Sequence, residues 1–220
     1  MRTFLILLLL YSLTNIQESL AQTSASSKIS YECSTADFMQ KLKKWVALDA
    51  KRENLKIEYI NTDKGELIIS GIYEPLNTGL NTTLFNILKP YISYCIEMTC
   101  KNNECSYSFK NTIYYFKPSY GDVSTLPKRY LDKVEIELNE IINNKSQFTI
   151  DKSFEYSMEF TKERMNSFKR VADDENQKKS IRKRNLKMYN EYMVKNKIYQ
   201  SIKSDLKIMY AETYFQLIKL

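Results

Sequence analysis

Tyr91-Ile92-Ser93-Tyr94-Cys95-Ile96-Glu97-Met98-Thr99-Cys100 alternates apolar and polar side chains. Successive side chains of a strand point to opposite faces, so Ile92, Tyr94, Ile96, Met98 and Cys100 share one face and Ser93, Cys95, Glu97 and Thr99 the other. A four-residue loop, Lys101-Asn102-Asn103-Glu104, then leads into a return strand with Cys105, Tyr107, Phe109, Ile113 and Tyr115 at alternate positions. The open face of this hairpin is expected to present Tyr91, Glu97, Thr99, Ser106, Ser108, Lys110 and Tyr114. That surface is polar with aromatic edges, as carbohydrate-binding surfaces can be.

Upstream, Lys56–Ile60 and Glu66–Tyr73 read as a second hairpin. They are joined by Asn61-Thr62-Asp63-Lys64-Gly65, in which Gly65 can take positive φ at little cost. Before it, Ser34-Thr35-Ala36-Asp37 has the form of a capping box. Phe38, Leu42, Trp45 and Leu48 follow at helical spacing, which predicts a helix to about Lys51. Lys28–Glu32 alternates as a short strand after a polar leader, residues 22–27. The connection from Glu74 to Pro90 holds Leu80, Leu84 and Leu88, and a stripe of Leu131, Val134, Leu138, Ile141 and Ile142 predicts a helix over residues 126–143. The order is strand, helix, four strands, helix.

Residues 146–220 are different. Phe154, Met158, Thr161, Met165, Phe168 and Ala172 step by four and three, Asp173-Asp174-Glu175-Asn176 interrupts, and Ile181, Met188, Tyr192, Tyr199, Ile202, Leu206 and Met209 resume the period over residues 177–217. Heptad-like spacing on both sides of a polar break predicts an antiparallel helical hairpin with coiled-coil character.

Phe38–Trp45, Ile57-Glu58-Tyr59, Asp63–Gly71 and Ile92–Met98 together resemble a family of exported bacterial proteins, a domain of unknown function with a TBP-like fold. The resemblance covers residues 29–143. It departs from the family at the second hairpin, where Asn102-Asn103 stands in place of Asp-Gly and cysteines flank the turn. It implies a β-α-β-β-β-β-α domain with helices on one face of a five-stranded antiparallel sheet, the α+β order read from the residues themselves. It implies no activity. TBP-like folds bind nucleic acid in one lineage, but a fold does not transfer a function.

The chain has no histidine, which excludes Ser-His-Asp and Cys-His catalysis and histidine metal sites. Of four cysteines, Cys100 and Cys105 are the candidate disulfide if they face each other at the hairpin end, and Cys33 competes for Cys105 if the first strand lies beside the last. Buried free thiols are the alternative, with Cys95 on the opposite face from Cys100. The spacings do not give paired C-x-x-C knuckles for zinc, and no cofactor or metal is expected.

The net charge is +7, and residues 151–220 carry most of the excess, with 16 basic and 10 acidic residues. Lys178, Lys179, Arg182, Lys183 and Arg184, continued by Lys187, are candidate anion contacts for phosphates, acidic glycans or nucleic acid. The competing reading is a solvated helix end balanced by Asp173, Asp174 and Glu175.

At the N-terminus, Arg2 precedes a short apolar run, Phe4–Leu13, and Ser19-Leu20-Ala21 places small residues before Gln22. This is the pattern of a cleavable signal peptide over residues 1–21 and not of a transmembrane anchor, since spanning takes about 20 apolar residues. Export to the periplasm or medium disfavours nucleic acid as a partner. The leading expectation is a non-enzymatic binding or assembly protein, with a protein partner or self-association through the C-terminal helices. The alternatives are a module binding an anionic or glycan envelope component on the open sheet face, or a hydrolase using carboxylates or lysine.

Overall fold

The structure is a computed structural model and describes residues 25–76, 88–118 and 147–220, with the side chains of 49–53 left aside. The expected signal peptide, the segment bearing Leu80 and Leu84, and the predicted helix over 126–143 lie outside the described residues.

The elements are β1 (Ser26–Ser30), α1 (Thr35–Glu53), β2 (Lys56–Asn61), β3 (Glu66–Tyr73), β4 (Leu88–Lys101), β5 (Glu104–Pro118), β6 (Gln147–Thr149), α2 (Lys152–Asp173) and α3 (Lys179–Leu217). The sheet runs in the order β1-β5-β4-β3-β2, with the short β6 pairing β5 as a sixth strand. The pairs β1–β5, β2–β3 and β5–β6 are antiparallel. The architecture is α+β, as the sequence predicts. Contacts divide the chain into two compact units. Among the described residues, one holds 25–71, 95–110 and 206–220, and the other holds 72–76, 88–94, 111–118 and 147–205.

In the first unit, Ser34 starts α1. Its Oγ accepts from the Asp37 N–H at 3.1 Å and donates to Asp37 Oδ2 at 2.6 Å, satisfying an amide with no partner inside the helix. Asn54, at φ 48°, ends the helix in the left-handed conformation that asparagine tolerates. Phe38, Leu42 and Trp45 are buried as expected, but Leu48 is 69% exposed. Met39 and Val46 complete the stripe instead, because the buried face is centred toward their side of the helix and Leu48 falls on the far flank.

Gly65 closes the β2–β3 turn at φ 68°. Its carbonyl accepts from the Cys100 N–H at 2.8 Å, and a Cβ at this position would collide with the Cys100 carbonyl oxygen. Glycine is required both by the dihedral and by the approach of β4. The expected four-residue loop between β4 and β5 is tighter. Asn102 and Asn103 alone form the turn, both at positive φ (53° and 61°), because the twist of a two-residue hairpin needs left-handed residues. The Asn103 carbonyl accepts from the Tyr31 N–H at 3.0 Å, fastening the exit of β1.

β4 keeps its predicted alternation, with Ile92, Tyr94, Ile96, Met98 and Cys100 all buried. β5 does not. Cys105, Tyr107 and Phe109 are buried, and then Thr112, Tyr114 and Phe116. The parity changes across Lys110 and Asn111, both exposed, with Asn111 at φ 49°. One left-handed residue in a strand acts as a bulge and turns every later side chain over. The expected inward Ile113 and Tyr115 are therefore half-buried, and Tyr114, expected on the open face, is fully buried.

In the second unit, β6 pairs Gln147 with Tyr115, Phe148 with Tyr114 and Thr149 with Ile113. Asp151 then caps α2, its Oδ1 accepting from the N–H groups of Ser153 at 2.8 Å and Phe154 at 3.2 Å. The helix ends before Asp174, which accepts from the Asn176 N–H at 3.0 Å in a side-chain turn. Phe154 meets Tyr199, ring centroids 5.3 Å apart, and Phe168 meets Tyr192, also at 5.3 Å, so the two helices run antiparallel. α3 continues past this unit, and in the first unit Tyr210 lies 4.6 Å, centroid to centroid, from Phe109.

Candidate functional site

The α2–α3 hairpin carries large exposed side chains on both helices. On α2, Tyr156 is 70% and Phe160 39% exposed. They stack with centroids 6.4 Å apart and planes 19° apart, and the Arg164 guanidinium lies 5.1 Å from the Phe160 centroid. Spacing of four places these three on one helical flank, away from the buried Phe154 and Thr161. On α3, Leu186 is 50% and Met193 43% exposed. The helical periodicity that predicts the core does not mark these five as surface residues. The missed signal is a second set of large side chains at helical spacing beside the stripe that fills the core.

The predicted anion-contact cluster is not one surface. Lys178, Lys179, Lys183 and Arg184 are exposed. Arg182 instead turns back, its Nε donating to the Ala172 carbonyl at 3.1 Å, which satisfies a free acceptor at the end of α2. Lys187 reaches Glu191 at 3.9 Å. Asp173 pairs with Lys169 at 2.7 Å, one turn back on its own helix. The Asp174 carboxyl is held below its ordinary range by the Asn176 N–H first and the Gln177 side chain next, with the Arg182 charge the smallest contribution.

In the first unit, Cys100 and Cys105 are joined as a disulfide across the Asn102-Asn103 turn, and both are buried. Cys33 and Cys95 are free and half-buried. The Cys95 thiol is pushed up by burial and then by the negative charges of Glu58 and Glu97, the reverse of what a reactive thiolate needs. Glu58 is held low by a 2.6 Å bond from the Ser70 hydroxyl and by Lys56 at 3.0 Å. The outward face of this unit is polar, with Lys28, Glu97 and Thr99 exposed and Ser106 and Ser108 half-buried around a shallow depression. Among the described residues no group of three or more Cys, Asp or Glu side chains is placed to hold a metal ion, and no helix is long and apolar enough to cross a membrane.

In the second unit, Tyr91 and Tyr115 stack at 5.7 Å on adjacent strands, and the Lys117 ammonium lies 5.3 Å from both centroids. Inside, the Tyr114 hydroxyl donates to Asp205 Oδ2 at 2.7 Å. Burial pushes the Asp205 carboxyl up to about 7, and the Tyr114 bond opposes that shift without cancelling it. Asp205 Oδ1 and Ser201 Oγ are buried without hydrogen-bond partners.

Residues 30–115 match a family described as a domain of unknown function (DUF4468) with TBP-like fold. Over those residues, which make up less than half of the chain, it is similar to that family. Two solved structures are similar to the chain: a DUF4468 family protein from Bacteroides ovatus ATCC 8483, 17% identical over 43% of this chain and 56% of its own, at a TM-score of 0.36, and a TBP-like protein from Parabacteroides distasonis ATCC 8503, 20% identical over 44% of this chain and 58% of its own, at 0.33. The chain therefore spans less than two thirds of either relative. No curated relative matches it.

The matched residues contain the disulfide, both free cysteines and the first part of β5 through Tyr115. The aromatic flank of α2, the basic residues at the start of α3, and Asp205 all lie beyond the matched residues.

Proposed function

We propose that the protein is an exported, non-catalytic binding protein that docks another protein surface through the α2–α3 hairpin, beyond the residues that match DUF4468. The observation that carries this reading is the exposed ladder of Tyr156, Phe160 and Arg164 on α2. Tyrosine, phenylalanine, arginine and methionine are the side chains enriched where proteins meet, and stacked aromatics lose little conformational freedom on binding. Export is supported by the charged start, apolar run and small-residue junction of residues 1–21.

Removing the whole hairpin is a poor test, because residues 206–220 belong to the first unit, with β1, α1 and β2, and Tyr210 packs on Phe109 there. Substitution of two exposed residues is cleaner. Full-length protein with Tyr156→Ser and Phe160→Ser is compared with wild type by native electrophoresis of the gently released native compartment. The reading expects wild type in a species larger than the chain and the variant at the mass of the chain alone. Identical migration of the two contradicts it.

A second reading is favoured by Tyr91, Tyr115 and Lys117, which offer two adjacent rings and a cation on the outward face of β4 and β5. Such a group suits an acidic glycan. Co-sedimentation with insoluble cell-wall glycan tests it: binding lost on Tyr91→Ala with Tyr115→Ala supports it, and wild type left in the supernatant removes it.

A further inference from the structure

The partner of the hairpin is written in its charges. Glu155, Glu159 and Glu163 stand at successive steps of four along α2, all exposed, next to the aromatic flank. Lys179, Lys183 and Lys187 stand at the same steps along the first part of α3, all exposed, next to Leu186. Side chains four apart are neighbours on a helix surface, so each set forms a stripe about two turns long. The two stripes match in length and oppose in sign.

The acids have no partner on their own helix. Among the described residues, Glu155, Glu159 and Glu163 enter no ion pair, nor do Lys179 and Lys183, and only Lys187 reaches a carboxylate, Glu191, at 3.9 Å. Lysines at a helix start oppose the dipole, and α3 has no acidic residue in its first turn. A run of carboxylates from outside would relieve that repulsion.

We propose that the hairpin binds a second copy of this chain, with the Glu155–Glu159–Glu163 stripe of one copy against the Lys179–Lys183–Lys187 stripe of its partner. This rests on the docking reading above and names its occupant. Because every copy carries both stripes, a two-fold arrangement satisfies both at once, as isologous interfaces require. The apolar neighbours are complementary in kind, Tyr156 and Phe160 meeting Leu186 and Met193. The charges set partner choice and register, and the apolar side chains supply the buried area.

The test uses purified full-length protein and sedimentation equilibrium over a range of concentration at low salt. Wild type is expected to shift from the mass of one chain to that of two as concentration rises, and to shift back when salt screens the stripes. Two charge-reversed proteins are then compared: Glu155→Lys, Glu159→Lys and Glu163→Lys in one, and Lys179→Glu, Lys183→Glu and Lys187→Glu in the other. Each alone is expected to lose self-association, and their equal mixture to regain it, since one now carries two basic stripes and the other two acidic ones. Recovery in the mixture shows that both variants are folded. Wild type that stays one chain at every concentration overturns the proposal, as does association unchanged by either reversal or a mixture that stays dissociated. If purified wild type stays single while the released native compartment holds the larger species, the second copy is refuted and the docking reading stands.

Discussion

The Tyr114 hydroxyl and Asp205 Oδ2 are 2.7 Å apart in the interior of the second unit, joining β5 to α3. The bond partners one oxygen of a carboxyl that burial has already pushed up to about 7, and leaves the other without a partner. A buried carboxyl held near neutrality makes stability depend on pH. The ordinary aspartate value is about 3.9, so the folded protein binds a proton more tightly than the unfolded chain. The contribution is fully present below pH about 4 and is lost as pH rises through about 7, on the order of 2–4 kcal/mol in all. Asp205→Asn keeps an oxygen for Tyr114 and cannot ionise. Its melting temperature is expected to exceed that of wild type at pH 8 and to converge with it near pH 4. A variant less stable than wild type at pH 8 contradicts this.

Tyr114→Phe removes the donor and leaves the Asp205 carboxyl with no hydrogen bond from β5. The expected loss is about 1–3 kcal/mol at pH 8, where the carboxyl is charged, and less at pH 5. Urea denaturation at the two pH values reads the difference. An equal loss at both would mean that the charge on Asp205 is immaterial.

Asn111 marks where the buried set of β5 changes parity, and its φ of 49° sets the test. Asn111→Gly is expected to be tolerated. Asn111→Val, β-branched in a left-handed conformation, is expected to cost about 1–2 kcal/mol. Equal midpoints for the two variants would show that the bulge does not depend on this residue.

Much of this architecture can be read from residues. The Phe154–Ala172 stripe and the polar break at Asp173–Asn176 announce the two helices, because burial repeats at the helical period. The alternation of Ile92–Cys100 announces β4 for the same reason at a period of two. The switch in β5 is hidden because Ile113-Tyr114-Tyr115-Phe116 is apolar at both parities, so no alternation can be lost. It depends on the backbone of Asn111, which nothing in its identity fixes. Leu48 misleads because three apolar residues at helical spacing define a line, and the width of the buried stripe depends on what packs against it. Asp205 left a usable trace: with Ser201 it lies one turn apart within the apolar run Ile198, Tyr199, Ile202, Leu206 and Met209, where a carboxylate must be buried. The surface stripes of Glu155–Glu163 and Lys179–Lys187 are also plain in the sequence, but only the structure separates Arg182 from the basic cluster.

Gly65 carries the β2–β3 turn against β4. Gly65→Ala is expected to destabilise by at least about 2 kcal/mol, since the left-handed conformation alone costs about 1–2 kcal/mol and the Cys100 carbonyl must also move. Chemical denaturation measures it, and a loss under about 0.5 kcal/mol, the range of an ordinary surface change, would contradict the close approach.

The export reading expects cleavage after Ala21. Intact-mass measurement of material recovered outside the cytoplasm should give a chain starting at Gln22. Recovery with residues 1–21 still attached would remove the export reading.

The central claim, that the hairpin is a docking element, is tested most directly by carbene footprinting of the full-length protein. The protein is labelled once in its native compartment and once purified and dilute, and modification is read at Tyr156, Phe160 and the exposed Leu48 of α1 as an internal control. The account predicts that Tyr156 and Phe160 are protected in the native compartment and labelled in dilute solution, while Leu48 is labelled equally in both. Equal labelling of Tyr156 and Phe160 in the two settings would contradict it.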